Sequence, residues 1–155
     1  MDTGAFTSPS PPKPEEASFL SFRLGHQLFG LPLTSVQDVL DPRPLTRIPL
    51  APKEVAGALN VRGRIITAID VRARMGLEPR PADTPYISIV VEHHDELYNL
   101  IVDSVGDALE LSPSAYEPNP PTLDPAWRDL LNGVFRLEGE LMLVVDVRKL
   151  LAFTA

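Results

Sequence analysis

GALNVRGRIITAIDVRARMGL, running from Gly57 to Leu77, is written a second time near the end of the chain as GVFRLEGELMLVVDVRKLLAF, from Gly133 to Phe153. The offset is 133 − 57 = 76 positions, and at that offset Gly63 meets Gly139 while Asp70, Val71 and Arg72 meet Asp146, Val147 and Arg148. In each copy a strand (about 57–61 and 133–137) reaches a turn glycine, returns as the apolar strand IITAI or LMLVV, and meets an aspartate. A carboxylate there can accept the orphan backbone N–H groups at the start of a short helix, so Asp70 and Asp146 read as N-caps rather than acid–base catalysts. Gly57, Gly63, Gly133 and Gly139 read as turns or close backbone approaches. Where the copies agree, the residues serve the fold. A position where charge reverses, Arg62 against Glu138, is a candidate for what only one copy does.

Outward from this pair, the pattern continues. In FLSFRL, Phe19, Ser21 and Arg23 alternate against Leu20, Phe22 and Leu24, and the run resumes after Gly25 and His26 as QLFGLPL. YISIVV (86–91), the polar stretch EHHDE (92–96) and LYNLIV (97–102) read as the same hairpin with two more residues in its turn. Each hairpin finishes on a matching tetrad, LTSV at 33–36 and VDSV at 102–105. Each half therefore reads hairpin, connection, hairpin, helical turn. Pro79, Pro81 and Pro85 separate the halves, and a second cluster (Pro118, Pro120, Pro121, Pro125) makes a long connection inside the second. The fold class is mainly β: two small antiparallel barrels or sandwiches with short helices. The domain reading is a Pro-rich flexible tail over 1–18, then one domain over 19–153 with two subdomains in approximate halves 19–77 and 86–153. Because the hairpins are alike, exchange of strands between halves stays open. A unit of about 60 residues buries only about 60% of its unfolded surface, so the halves should share apolar area. The seam between them is a favoured place for a partner groove.

Composition narrows the chemistry. At 44% apolar and 23% charged, the 155 residues fit a soluble globular protein. With no cysteine there is no disulfide framework, thiolate nucleophile or cysteine-based metal site. A net charge of −7 would repel a phosphate backbone, which disfavours nucleic acid and with it an OB-like oligonucleotide binder. The longest apolar runs, such as LMLVV at 141–145, fall far short of the roughly 20 residues that cross a bilayer, and no secretory signal is read, so no direct membrane insertion and a cytoplasmic location are expected. His93 and His94 are adjacent in a turn rather than at the i, i+4 spacing of a helical zinc site, and their side chains are expected to point apart into solvent. His26 also sits in a turn, without a GxSxG elbow. No GxxxxGK[ST] or GxGxxG loop occurs. Glu138 and Glu140, flanking Gly139, read as solubilising charges. The expectation is no catalytic residue, metal or cofactor, and a small acidic β enzyme is the disfavoured alternative.

Taken in order, FLSFRLGHQLFGLPLTSVQDVL, TRIPLAPKEVAGALNVRGRIITAIDVRARMGL, LIVDSVGDALEL and GVFRLEGELMLVVDVRKLL resemble the CheW-type chemotaxis coupling proteins from Phe19 to Phe153. The resemblance implies two small five-stranded β-barrels packed about a common hydrophobic centre. It also implies a non-catalytic scaffold of a two-component system, joining the cytoplasmic tip of a chemoreceptor to the regulatory domain of the histidine kinase CheA and so recruited to membrane receptor arrays through its partners. An adaptor of a non-flagellar chemosensory pathway (surface motility or second-messenger control), or one lacking a partner surface, is the alternative within the family. The family's NLRG motif stands here as Asn60, Val61, Arg62 and Gly63. By the same resemblance, Asn60 and Arg62 belong to the receptor groove with Val36, Asp38 and Val105.

Overall fold

The computed structural model describes residues 18–154. The expected tail lies outside the described residues, apart from Ser18, which opens the first strand. Strands follow in the order β1 (Ser18–Leu24), β2 (Gln27–Pro32), β3 (Val36–Leu40), β4 (Val55–Val61), β5 (Arg64–Asp70), β6 (Ile87–His93), β7 (Glu96–Val102), β8 (Ser104–Glu110), β9 (Tyr116–Glu117), β10 (Leu131–Leu137) and β11 (Glu140–Val145). Three one-turn helices join them: α1 (Val71–Arg74), α2 (Pro125–Arg128) and α3 (Val147–Leu150).

The strands form one sheet in the order β8-β1-β2-β11-β10-β9 and another in the order β3-β6-β7-β5-β4. These are the same arrangement twice. β10, β11 and α3 follow β4, β5 and α1 by 131 − 55 = 76 residues, and β6 and β7 follow β1 and β2 by 87 − 18 = 69. Even β9 has a counterpart, since its partner Val134 corresponds to Ala58 (134 − 58 = 76), which is bridged by Thr46. Neither sheet is drawn from one half of the sequence. The hairpin β1–β2 lies beside β11, and β6–β7 lies beside β5.

The mainly β, duplicated two-unit fold is as expected; its details differ. Each sheet is mixed, because the borrowed hairpin meets its host strand in parallel, β2 with β11 and β5 with β7, while the other pairs are antiparallel. Neither sheet closes into a barrel: β8 and β9 are unpaired ends of one sheet and β3 and β4 of the other. Proline explains the short edge. β9 has two residues, and Pro113, Pro118, Pro120 and Pro121 around it carry no N–H to extend a ladder. The second hairpin turn is also shorter than its polarity suggests, because Glu92 pairs with Leu97 and His93 with Glu96. His94 and Asp95 alone make the turn, both left-handed (φ 53° and 64°), and the His93 and His94 rings stack at 3.9 Å instead of diverging.

Period-two alternation sends Leu20, Phe22 and Leu24 of β1 to a large core shared by both sheets, where they join Phe29, Leu31, Ile69, Ile89, Val91, Leu100 and Val102. The opposite faces carry smaller clusters, Phe19, Leu28, Phe135, Met142 and Val144 on one sheet and Leu40, Leu59, Ile66, Ala68, Val90 and Ile101 on the other. Each Val, Leu, Ile, Phe or Met among them contributes roughly 1.5–3 kcal/mol on burial, and the central cluster exists only when the sheets are together. Polar ties cross the same seam. Arg74 of α1 donates to the Leu150 and Lys149 carbonyls at 2.7 and 3.0 Å, and the Trp127 indole donates to Met75 O at 2.9 Å. Arg72 binds Asp103 through two nitrogens at 2.9 and 2.6 Å, and Asp103 also accepts from the Gly25 N–H at 2.7 Å.

Candidate partner-binding site

The turn between β4 and β5 is two residues long, Arg62 and Gly63, with φ of 52° and 85°. Left-handed backbone is unusual for a residue with a Cβ, and a local bond holds it here: the Asn60 side-chain oxygen accepts the Gly63 N–H at 2.9 Å. The result presents the Arg62 side chain outward, 80% exposed. On the edge strand β3, Asp38 accepts the Val39 N–H at 2.8 Å with one oxygen and Arg62 Nη2 at 3.3 Å with the other. A single bond between two solvated side chains is worth about 0–1 kcal/mol, so Arg62 can exchange Asp38 for another carboxylate at little cost. Beneath the pair lies a hollow of about 280 Å³ floored by Val61, Ile66, Val90 and Leu97, with Arg64 on its rim.

Asp38, Asn60 and Arg62 thus come together. Val36 is on the same strand as Asp38 but packs against the shared core. Val105 lies in β8 of the other sheet, also against that core, and lines a different hollow. The structural positions are equally definite. Asp70 accepts the Ala73 N–H at 3.4 Å and Asp146 the Lys149 N–H at 3.2 Å, each at the start of its helix. Gly57 and Gly133 sit at register shifts; a Cβ on Gly57 would lie 2.7 Å from Thr46 O, and one on Gly133 would lie 2.5 Å from the Tyr116 ring. Gly63 and Gly139 are left-handed turn residues in open space.

The hollow at Val105, about 310 Å³, is one that sequence reasoning missed. It is the duplicate of the first. Asp38, Val61, Arg64, Val90 and Leu97 correspond by the offsets above to Asp107, Leu137, Glu140, Ser21 and Leu28, all of which line it. The rim charge is inverted, Arg62 and Arg64 against Glu138 and Glu140. Comparing both residues that flank the turn glycine, rather than one, would have revealed it. Here Glu140 holds an internal cation, the Arg23 guanidinium, at 3.0 and 3.2 Å, which keeps its carboxyl below the ordinary range.

Among the described residues no three His, Asp or Glu side chains are grouped to hold a metal ion. Burial, and then the charges of His94 and Arg148, lower the His93 pKa. No helix among them is long and apolar enough to cross a membrane.

The family model of the CheW-like domain matches residues 18–154. The chain is 29% identical over 128 residues to the chemotaxis protein CheW of Rhizobium meliloti, covering 83% of each. It is 32% identical over 121 residues to Protein PilI of Pseudomonas aeruginosa, covering 78% of this chain and 68% of that one. A solved structure, the scaffolding protein TtCheW from Thermoanaerobacter tengcongensis, superposes with a TM-score of 0.76 at 28% identity, over 84% of this chain and 89% of that one.

Proposed function

The chain belongs to the CheW-like domain family, and from that premise we propose that it is a non-catalytic coupling protein holding the cytoplasmic tip of a chemoreceptor and the regulatory domain of the histidine kinase CheA in one signalling array. Its relatives carry chemotaxis and scaffolding names. The observation that carries the reading to this chain is the solvated Asp38–Arg62 pair over an apolar hollow. A receptor helix can offer the hollow an apolar side chain and Arg62 a carboxylate, and the internal pair gives way without unfolding anything. Arg is over-represented among interface hot spots for this combination of charge and planar donors. Coupling then needs no bond chemistry: a protein that binds two partners in one of their states shifts both toward that state by its differential affinity. The working place is the cytoplasmic face of the array, reached through the partners.

The direct test is retention. Immobilised full-length protein is challenged with a receptor cytoplasmic fragment and with the CheA regulatory domain, separately and together. Both should be held at micromolar concentrations. Retention of neither ends the reading.

A further inference from the structure

The connection from β3 to β4, residues 41–54, leaves two large apolar side chains in water: Leu50, 103% exposed, and Ile48, 37% exposed. Its counterpart in the second repeat, the connection from β8 to β10, does the opposite. There Leu123 and Trp127 pack against the shared core. Within 41–54 only Leu45 is packed down, against the Leu40–Leu59 cluster, so the same framework covers Leu123 and Trp127 in one connection and leaves Ile48 and Leu50 uncovered in the other.

The exposed connection is also fixed in place. Thr46 exchanges both backbone bonds with Ala58 at 2.7 and 2.8 Å, and Val55 N–H donates to Pro52 O at 3.0 Å. Gly57 lets the Thr46 carbonyl approach closer than any Cβ would allow. Leu50, between Pro49 and Ala51, is held at φ 62°, a conformation leucine rarely takes. A rigid loop that spends backbone strain to hold a leucine in solvent is pre-organised for contact.

Ile48 and Leu50 border a concave hollow of about 480 Å³. Its wall carries two cations, Arg47 and Lys53, and no carboxylate, although the chain as a whole has a net charge of −7. Among the described residues neither cation has an ion-pair partner. A concave, half-apolar, cationic surface suits a helix that inserts a leucine-sized side chain and sets its acidic face against the two cations. We propose that the 41–54 connection is a second docking surface, separate from the Arg62 hollow, for an acidic amphipathic helix of a partner protein, with Leu50 as its anchor.

The experiment is fluorescence anisotropy of two labelled synthetic helical peptides with one leucine stripe, one bearing glutamates on the other face and one bearing lysines, titrated with the full chain. The glutamate peptide should bind and the lysine peptide should not. Leu50→Asp should weaken binding at least about tenfold, the effect of an interface hot spot. Arg47→Glu combined with Lys53→Glu should reverse the preference, whereas binding that Arg62→Glu abolishes and Leu50→Asp leaves intact belongs to the Arg62 hollow and overturns the proposal. Leu50→Ala, with a melting curve for each variant, separates a lost contact from a lost fold. Equal binding of the two peptides, no binding, or indifference to Leu50→Asp overturns the proposal. So does Leu50-dependent flotation with phosphatidylserine vesicles or Leu50-dependent self-association in sedimentation, either of which gives the surface to another occupant.

Discussion

Arg62 and Arg72 each bond an aspartate, and the surroundings give the two bonds different consequences. Arg72 and Asp103 are 16% and 18% exposed and share two bonds, with the Gly25 N–H on the same carboxylate. Arg62 is 80% exposed and shares one. Arg62→Glu should therefore cut receptor retention at least about tenfold, as loss of an interface hot spot does, while unfolding free energy changes by less than about 1 kcal/mol. A large fall in melting temperature would reassign Arg62 to the fold. Asp103→Asn should instead cost about 1–3 kcal/mol at neutral pH, because it strips the charge from a hydrogen-bonded acceptor and leaves Arg72 half-satisfied. Burial alone would raise the Asp103 pKa, but the bonds from Arg72 and Gly25 and the charges of Arg72 and Arg80 outweigh it, leaving it below the ordinary value. A depressed folded-state pKa gives stability that is present above the unfolded value near 4 and lost as pH falls through the folded one. The gap between parent and Asp103→Asn in urea titrations should hold from pH 7 to about 5 and close below about 4. The charge reversal at Arg62 was legible in the sequence. Its bond to Asp38 was not, because Arg62 lies in a turn and Asp38 on a strand 24 residues earlier.

Hairpins are the elements that the sequence announces most clearly, and their glycines do two different jobs. Gly139 turns a chain in open space with φ 84°, so Gly139→Ala should cost about 1–2 kcal/mol in backbone strain alone. Gly133 meets the Tyr116 ring and the Glu117 carbonyl, and the tyrosine is held by its hydroxyl bond to Asn132 O. Gly133→Ala must therefore move β9 and should cost more than Gly139→Ala in urea unfolding, by about 1 kcal/mol or above. Equal costs would mean that β9 yields freely. Turn glycines bracketed the hairpins β1–β2, β4–β5 and β10–β11, and their strands were readable from alternation in FLSFRL and from the short, nearly unbroken apolar runs IITAI and LMLVV, the composition of strands buried on both faces. The 92–96 turn misled because polarity reports solvent, whereas Glu92 and His93 are polar and still paired. β9 has two residues, too few for any period.

At the scale of the molecule, periodicity says which face of a strand is buried and nothing about which strand lies beside it. Two alike hairpins satisfy either sheet, so the exchange of β1–β2 and β6–β7 was open from sequence and is settled only by three-dimensional pairing. The fragment 18–78 holds two strands of one sheet and three of the other. Neither it nor 79–154 should show a cooperative melting transition alone, and mixing them should restore one; a fragment that melts cooperatively by itself would contradict the shared core. The exchange also imposes an order on synthesis. Leu28 of β2 pairs beside Met142 of β11, 142 − 28 = 114 residues later, and a ribosome adding about 5–20 residues per second reaches the second some 6–23 s after the first. Throughout that interval β2 lacks its β11 neighbour, and the core around Phe22, Phe29 and Leu31 lacks Leu143, Val145 and Leu150. A strand made late thus completes the sheet that a much earlier hairpin enters.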